Sequence, residues 1–145
     1  MVDALRRAHE MVTPSGCVVD LHPTADVALV EVGADSTGPV DGGDAPLRHG
    51  AAGAALATVL DAGLFAVDRE VEFTFYTYGD TIEELRDYIE ENWRDGRIDD
   101  AVVLRTRDAL REAPGIRPRV RELVRLTKLR PIAPAAGTHR SAMHG

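Results

Sequence analysis

The chain predicts an α/β domain: a small mixed sheet with helices packed on it. Two observations lead there. Apolar residues recur at helical spacing in some stretches, as at Val2, Leu5, His9 and Val12, and alternate with polar ones in others, as from Val71 to Tyr78. The two kinds of stretch take turns along the chain in the order helix, strand, strand or hairpin, helix, strand, helix pair, strand. With 145 residues, 44% hydrophobic and 28% charged, the chain is one globular domain by length and can bury a core without staples.

The first helix spans residues 2–12 and is stopped by the Pro14-Ser15-Gly16 turn, where proline presets φ. Cys17 to Leu21 follows as a continuous apolar run, the pattern of a strand covered on both faces, and His22-Pro23 stops it. Ala28 to Val32 is a second strand. Gly33 to Gly43 is a turn-rich stretch with room for a partner strand around Gly38-Pro39-Val40. An alanine-rich helix over 51–62 carries Leu56, Val59 and Leu60 on one face, with Gly63 placed to end it in the left-handed conformation.

In the strand from Val71 to Tyr78, Val71, Phe73 and Phe75 point one way, while Glu72, Thr74, Tyr76 and Tyr78 point the other. Thr81 and Glu84 have capping-box spacing ahead of a helix whose buried stripe is Ile82, Leu85, Ile89 and Trp93. A further helix runs from about Asp99 to Glu112 and ends at Pro114-Gly115. The last strand, Arg119 to Leu129, mixes arginine with valine and leucine as an edge or solvent-facing strand does. A domain over 1–130 and a disordered tail over 131–145 complete the expected organisation.

Composition excludes several functions. A net charge of −7 argues against nucleic acid as a partner. The basic residues from Arg117 onward, set against Glu122 alone, read as a solvated strand face that offsets the acidic helices. One cysteine excludes an internal disulfide, and Cys17 reads as buried and structural. No apolar run nears the roughly 18 residues a membrane span requires, and the charged first ten residues lack a signal peptide's apolar centre, so the expected location is the cytoplasm. The five histidines never pair at i, i+4 around a glutamate, so no metal site is expected. Gly50-Ala51-Ala52-Gly53 reads as a helix start rather than a phosphate loop. The acids Glu83, Glu84, Asp87, Glu90 and Glu91 circle an exposed helix face, and His9 reads as a core or interface histidine. Tyr76, Tyr78 and Trp93 either line a pocket or cap a core with their polar tips in water.

Several stretches resemble the C-terminal half of class I S-adenosylmethionine-dependent methyltransferases. The helix Ala4-Leu5-Arg6-Arg7-Ala8-His9-Glu10-Met11-Val12, the turn Thr13-Pro14-Ser15-Gly16 and the strand Cys17 to Leu21 are similar to the family's "ALRE-x-HRVL" helix, Leu-x-Pro-Gly-Gly turn and fifth strand, with Ser15 in place of the first glycine. The helix ending in Ala62-Gly63-Leu64-Phe65, the aromatic strand, the helix from Asp80 to Ile89 and the arginine-containing last strand follow in the family's order. The resemblance covers about 1–130 and implies a partial Rossmann-like, methyltransferase-type three-layer fold. In that fold the last strand lies antiparallel between the fifth and sixth.

The family's donor-binding motif, an acidic residue with glycines after the first strand, has no counterpart here. The resemblance therefore implies no cofactor bound by the isolated chain, and S-adenosylmethionine only if a partner completes it, which leaves a methyltransferase-like domain that is either non-catalytic or completed by a partner chain. A homodimer or a partner chain is expected to cover the open edge of the Cys17–Leu21 strand. Ligands bind beyond the carboxyl ends of parallel strands, which places His22 as a possible general base on one rim with Tyr76 and Tyr78, and makes these three and Trp93 the candidate site residues. The competing expectation is a small-molecule binding module with an aromatic-lined pocket and no catalysis.

Overall fold

The computed structural model describes residues 1–134 and gives a mixed α/β domain built on a small open antiparallel sheet with flanking helices. The elements are α1 (Val2–Met11), β1 (Val18–Pro23), β2 (Leu29–Val32), β3 (Asp35–Pro39), α2 (Ala45–Asp61), β4 (Phe65–Tyr78), α3 (Ile82–Asn92), α4 (Asp100–Glu112) and β5 (Pro118–Pro131). Every strand pair is antiparallel, so the sheet is not mixed in its hydrogen bonding.

β5 is the centre of the sheet, not an edge or solvent-facing strand. On one side β4 pairs with it from Phe65↔Pro131 to Tyr78↔Arg119. On the other side β1 takes its second half (Val18↔Leu129 to Pro23↔Val124) and β2 its first (Val32↔Pro118 to Leu29↔Arg121). β1 and β4 therefore run parallel to each other with β5 reversed between them. The arginines that made β5 look exposed are neutralised across the ladder. Arg119 and Arg121 meet Glu31, Arg125 meets Glu72, and Lys128 meets Asp68. The acids that offset them come from neighbouring strands rather than from the helices.

Alternation along β5 separates two cores on opposite faces. Val120, with Val30, Ile82, Leu85, Ile89 and Val102, packs under α3 and α4. Leu129, with Leu5, Leu56, Val59 and Phe65, packs under α1 and α2. Each helix pair covers only part of its face. Below α3 and α4 the sheet is bare: Val19 and Leu21 are 54% and 57% exposed and Phe75 is 52% exposed, with Val71 and Phe73 beside them. β1 is thus covered on one face only, and a continuous apolar run did not signal two-sided burial.

Local chemistry sets the element ends. Thr81 Oγ1 accepts the Glu84 N–H at 3.1 Å and caps α3. Gly63, at φ +74°, ends α2 in the left-handed conformation. α2 starts at Ala45, well before the expected 51, so Gly50 and Gly53 lie inside it rather than at its start. β4 likewise begins at Phe65 rather than Val71, its first residues joined to the rest through a bulge between Val67 and Arg69. Cys17 is exposed just ahead of β1, not buried. His9 meets the Phe65 ring edge-on at 5.2 Å and its Nε2 lies 3.0 Å from the Ile132 carbonyl oxygen. The Ile132 N–H also donates to the Leu64 carbonyl, so the chain stays tied down just past the expected domain end at 130. The remainder of the expected tail, 135–145, lies outside the described residues. No helix among the described residues is long and apolar enough to cross a membrane.

Candidate functional site

The site originates in a seam. β1 and β2 share one edge of β5 end to end, and between Pro23 and Leu29 the chain leaves the sheet after the Thr24 N–H reaches the Leu123 carbonyl at 2.9 Å. β5 is uncovered there at Glu122 and Leu123. The gap opens into a cleft of about 740 Å³ bounded by the 23–28 segment, the approach to α2 and the end of α3.

Trp93 forms one wall of this cleft while packing against the α3–α4 core. The turn after α3 holds it in place: Gly96 N–H donates to the Trp93 carbonyl, and a Cβ at Gly96 would lie 2.7 Å from that of Trp93. Glu122 lies in the cleft floor, and burial raises its carboxyl above the usual carboxylate range. His49, from the first turns of α2, completes the opposite wall.

Behind His49, on the α2 face of the sheet, a second cavity of about 350 Å³ contains His22, Gly50, Gly53, Glu72 and Arg125. The two helical glycines leave open space where side chains would stand. His22 Nδ1 lies 2.7 Å from Asp20 Oδ2, with both side chains largely buried. At that distance Asp20 is placed to orient the imidazole ring. Arg125 is held by Glu72, its Nε 3.1 Å from Oε1. His49 borders both cavities. Burial first, then Arg48 and His22, lower its pKa, so it is neutral at pH 7 and able to accept a proton.

The structure separates the sequence-predicted residues into three places. His22 lies within β1 rather than beyond it, level with Glu72 across Arg125. Tyr76 and Tyr78 share its face of the sheet but lie four and six residues further along β4, about 13 and 20 Å away at strand rise. They stack with arginines, Arg119 at 4.0 Å over the Tyr76 ring and Arg117 at 4.9 Å over Tyr78. Trp93 belongs to the cleft through the seam. Asp20, His49 and Glu122 join the site without having been anticipated. The Asp20-x-His22 spacing was a readable signal, since alternate strand residues share a face.

No group of three or more potential metal ligands occurs among the described residues. No protein-family model, curated protein or solved structure matches the chain.

Proposed function

We propose that the chain is the C-terminal half of a Rossmann-like, class I methyltransferase-type fold, which acts when a donor-binding half completes it. The observation that carries this reading is the state of β1. Its outer edge has no strand partner among the described residues, and its Val19 and Leu21 side chains stand in solvent beside Val71, Phe73 and Phe75. In the fold the resemblance implies, the fourth strand occupies that edge. The order β1–β5–β4, with β5 reversed between two parallel strands, also supports the reading, while the wholly antiparallel pairing departs from the parallel sheet of a Rossmann-like fold. The hairpin β2–β3 is an addition to that plan.

The family's donor-binding motif follows the first strand of its sheet, whereas the Gly42-Gly43 loop that lines the seam cleft follows the added hairpin strand β3. S-adenosylmethionine is assigned to the completing half. The role of this chain is to hold the acceptor in the seam cleft against Trp93, with His49 in the cleft wall available to take a proton and His22, oriented by Asp20, behind it in the second cavity. The acidic balance supports a small acceptor over nucleic acid, and the location we propose is the cytoplasm. Co-expression with a neighbouring protein that carries an acidic glycine-rich motif is expected to give a stable complex. Leu21→Asp, at an exposed position, should abolish that complex without unfolding the chain. A complex indifferent to Leu21→Asp would contradict this placement.

The second reading, a small-molecule binding module without catalysis, is favoured by the cleft itself, which needs no completing half to exist. The two separate on one comparison. A binding module keeps its affinity for a cleft ligand when Asp20→Asn is introduced, and a completed enzyme loses turnover.

A further inference from the structure

Beyond the open edge of β1, the opposite margin of the sheet is also free. β4 pairs with β5 along its whole length and with no other strand among the described residues. From Val67 to Tyr76 every residue of β4 is exposed. Edge strands are ordinarily protected by lysine, proline or inward charge. β4 has its bulge and Asp68 near its start, but from Val71 to Tyr78 it holds one charge, Glu72, and no proline.

The β4 sequence suits one particular occupant of this edge, itself. Antiparallel pairing about a two-fold axis centred on Phe73 sets Phe73 against its own copy and Val71 against Phe75, on the face that α3 and α4 leave bare. On the other face it sets Glu72 against Thr74 and Glu70 against Tyr76, while Asp68 lies in the bulge outside the regular ladder. Both glutamates then meet an uncharged residue that carries a hydroxyl, and the aromatic and β-branched pairs are those that stabilise neighbouring strands. Centring on Val71 would oppose Glu70 and Glu72, and centring on Glu72 would oppose that carboxylate to itself. Centring on Thr74 also avoids like charges but trades the Phe75 partner of Val71 for Thr77. Registers shifted by one residue bring the apolar face of one copy against the charged face of the other.

We propose that β4 is a homodimer interface, with two copies of the chain joined edge to edge through β4 in the register centred on Phe73, giving one sheet continuous across the two-fold axis. The interface leaves the β1 edge and the seam cleft of each copy open.

Light scattering of the purified chain is expected to give twice the 15.7 kDa of one chain in the micromolar range. Phe73→Lys should weaken the dimer at least about tenfold through apposed like charges while circular dichroism and melting stay unchanged, because the side chain is not in either core. Phe73→Glu alone should behave the same way, and mixing the two variants should restore the dimer, which a folding defect would not allow. In a Cys17→Ser background, Phe73→Cys should form a disulfide-linked dimer on oxidation, since directly opposed strand residues are within reach. Thr77→Cys should not. Leu21→Asp should leave the dimer intact. A single-chain mass across the micromolar range would overturn the proposal, as would a dimer that survives Phe73→Lys or links through Thr77→Cys in place of Phe73→Cys.

Discussion

Glu31 is 6% exposed and is the acceptor for two guanidinium groups, Arg119 Nε at 3.1 Å and Arg121 Nε at 2.8 Å. Its replacement by alanine leaves both cations facing each other without their shared partner. Because Arg121 is more than a third exposed, water recovers part of that loss, and the expected destabilisation is about 2 kcal/mol by urea unfolding. Thr127 presents the reverse case: its hydroxyl is fully buried and finds no partner among the described residues. Thr127→Val keeps the shape and removes the stranded group, so it should raise stability by about 1 kcal/mol. Glu122 adds a pH dependence. Burial raises its folded carboxyl above the unfolded value, so in the window between them the folded state binds more protons and stability falls as pH rises through it. Unfolding of wild type and Glu122→Gln, measured from about pH 4 upward, should show the gap widening in favour of Gln until it levels off. Had sequence alone been pressed further at this scale, Asp20 and His22 would have emerged together from period-two spacing. His49 and Glu122 would not, since only tertiary contact brings α2 and β5 to the seam.

Among the elements, α2 and β4 were the least legible. Gly50 and Gly53 lower helix propensity and read as a start, whereas packing of Ala52, Ala55, Leu56 and Val59 against the sheet carries the helix through them. Gly50→Ala has open space and should stabilise the protein by about 1 kcal/mol in thermal unfolding, while narrowing the His22 cavity. Gly38 is the opposite: at φ +150° a Cβ would lie 2.7 Å from the Val102 side chain and 2.9 Å from the Arg105 guanidinium. Gly38→Ala should therefore cost about 2 kcal/mol by separating β3 from α4. The early half of β4, rich in Asp, Arg and Glu, conceals a strand because its charges face partners on β5, as Lys128–Asp68 and Arg125–Glu70 do. The same cross-strand pairing made β5 resemble an edge. Charge that is neutralised between strands leaves no trace in a one-dimensional pattern. By contrast α3, with its Thr81 cap and its Ile82, Leu85 and Ile89 stripe, was legible because its signals are local.

For the whole molecule, the governing feature is a sheet with two open margins and helices that leave part of each face bare. The placement of the last strand between the first and the aromatic one came from the resemblance alone, while the strand's own residues read as an edge. The side chains that would meet there were not legible, because the hairpin β2–β3 takes up half of one β5 edge and creates the seam. A domain with Val19, Leu21, Val71, Phe73 and Phe75 in solvent has surface to give to other segments, and the seam cleft opens between β1 and β2. The most direct test is calorimetric titration of S-adenosylmethionine into the chain, alone and together with the neighbouring donor-binding half. The expected result is no binding tighter than roughly 10 µM, about −7 kcal/mol, for the chain alone and clear binding for the pair. Binding tighter than that by the chain alone, or none by the assembled pair, would contradict the proposal that this is one half of a methyltransferase fold.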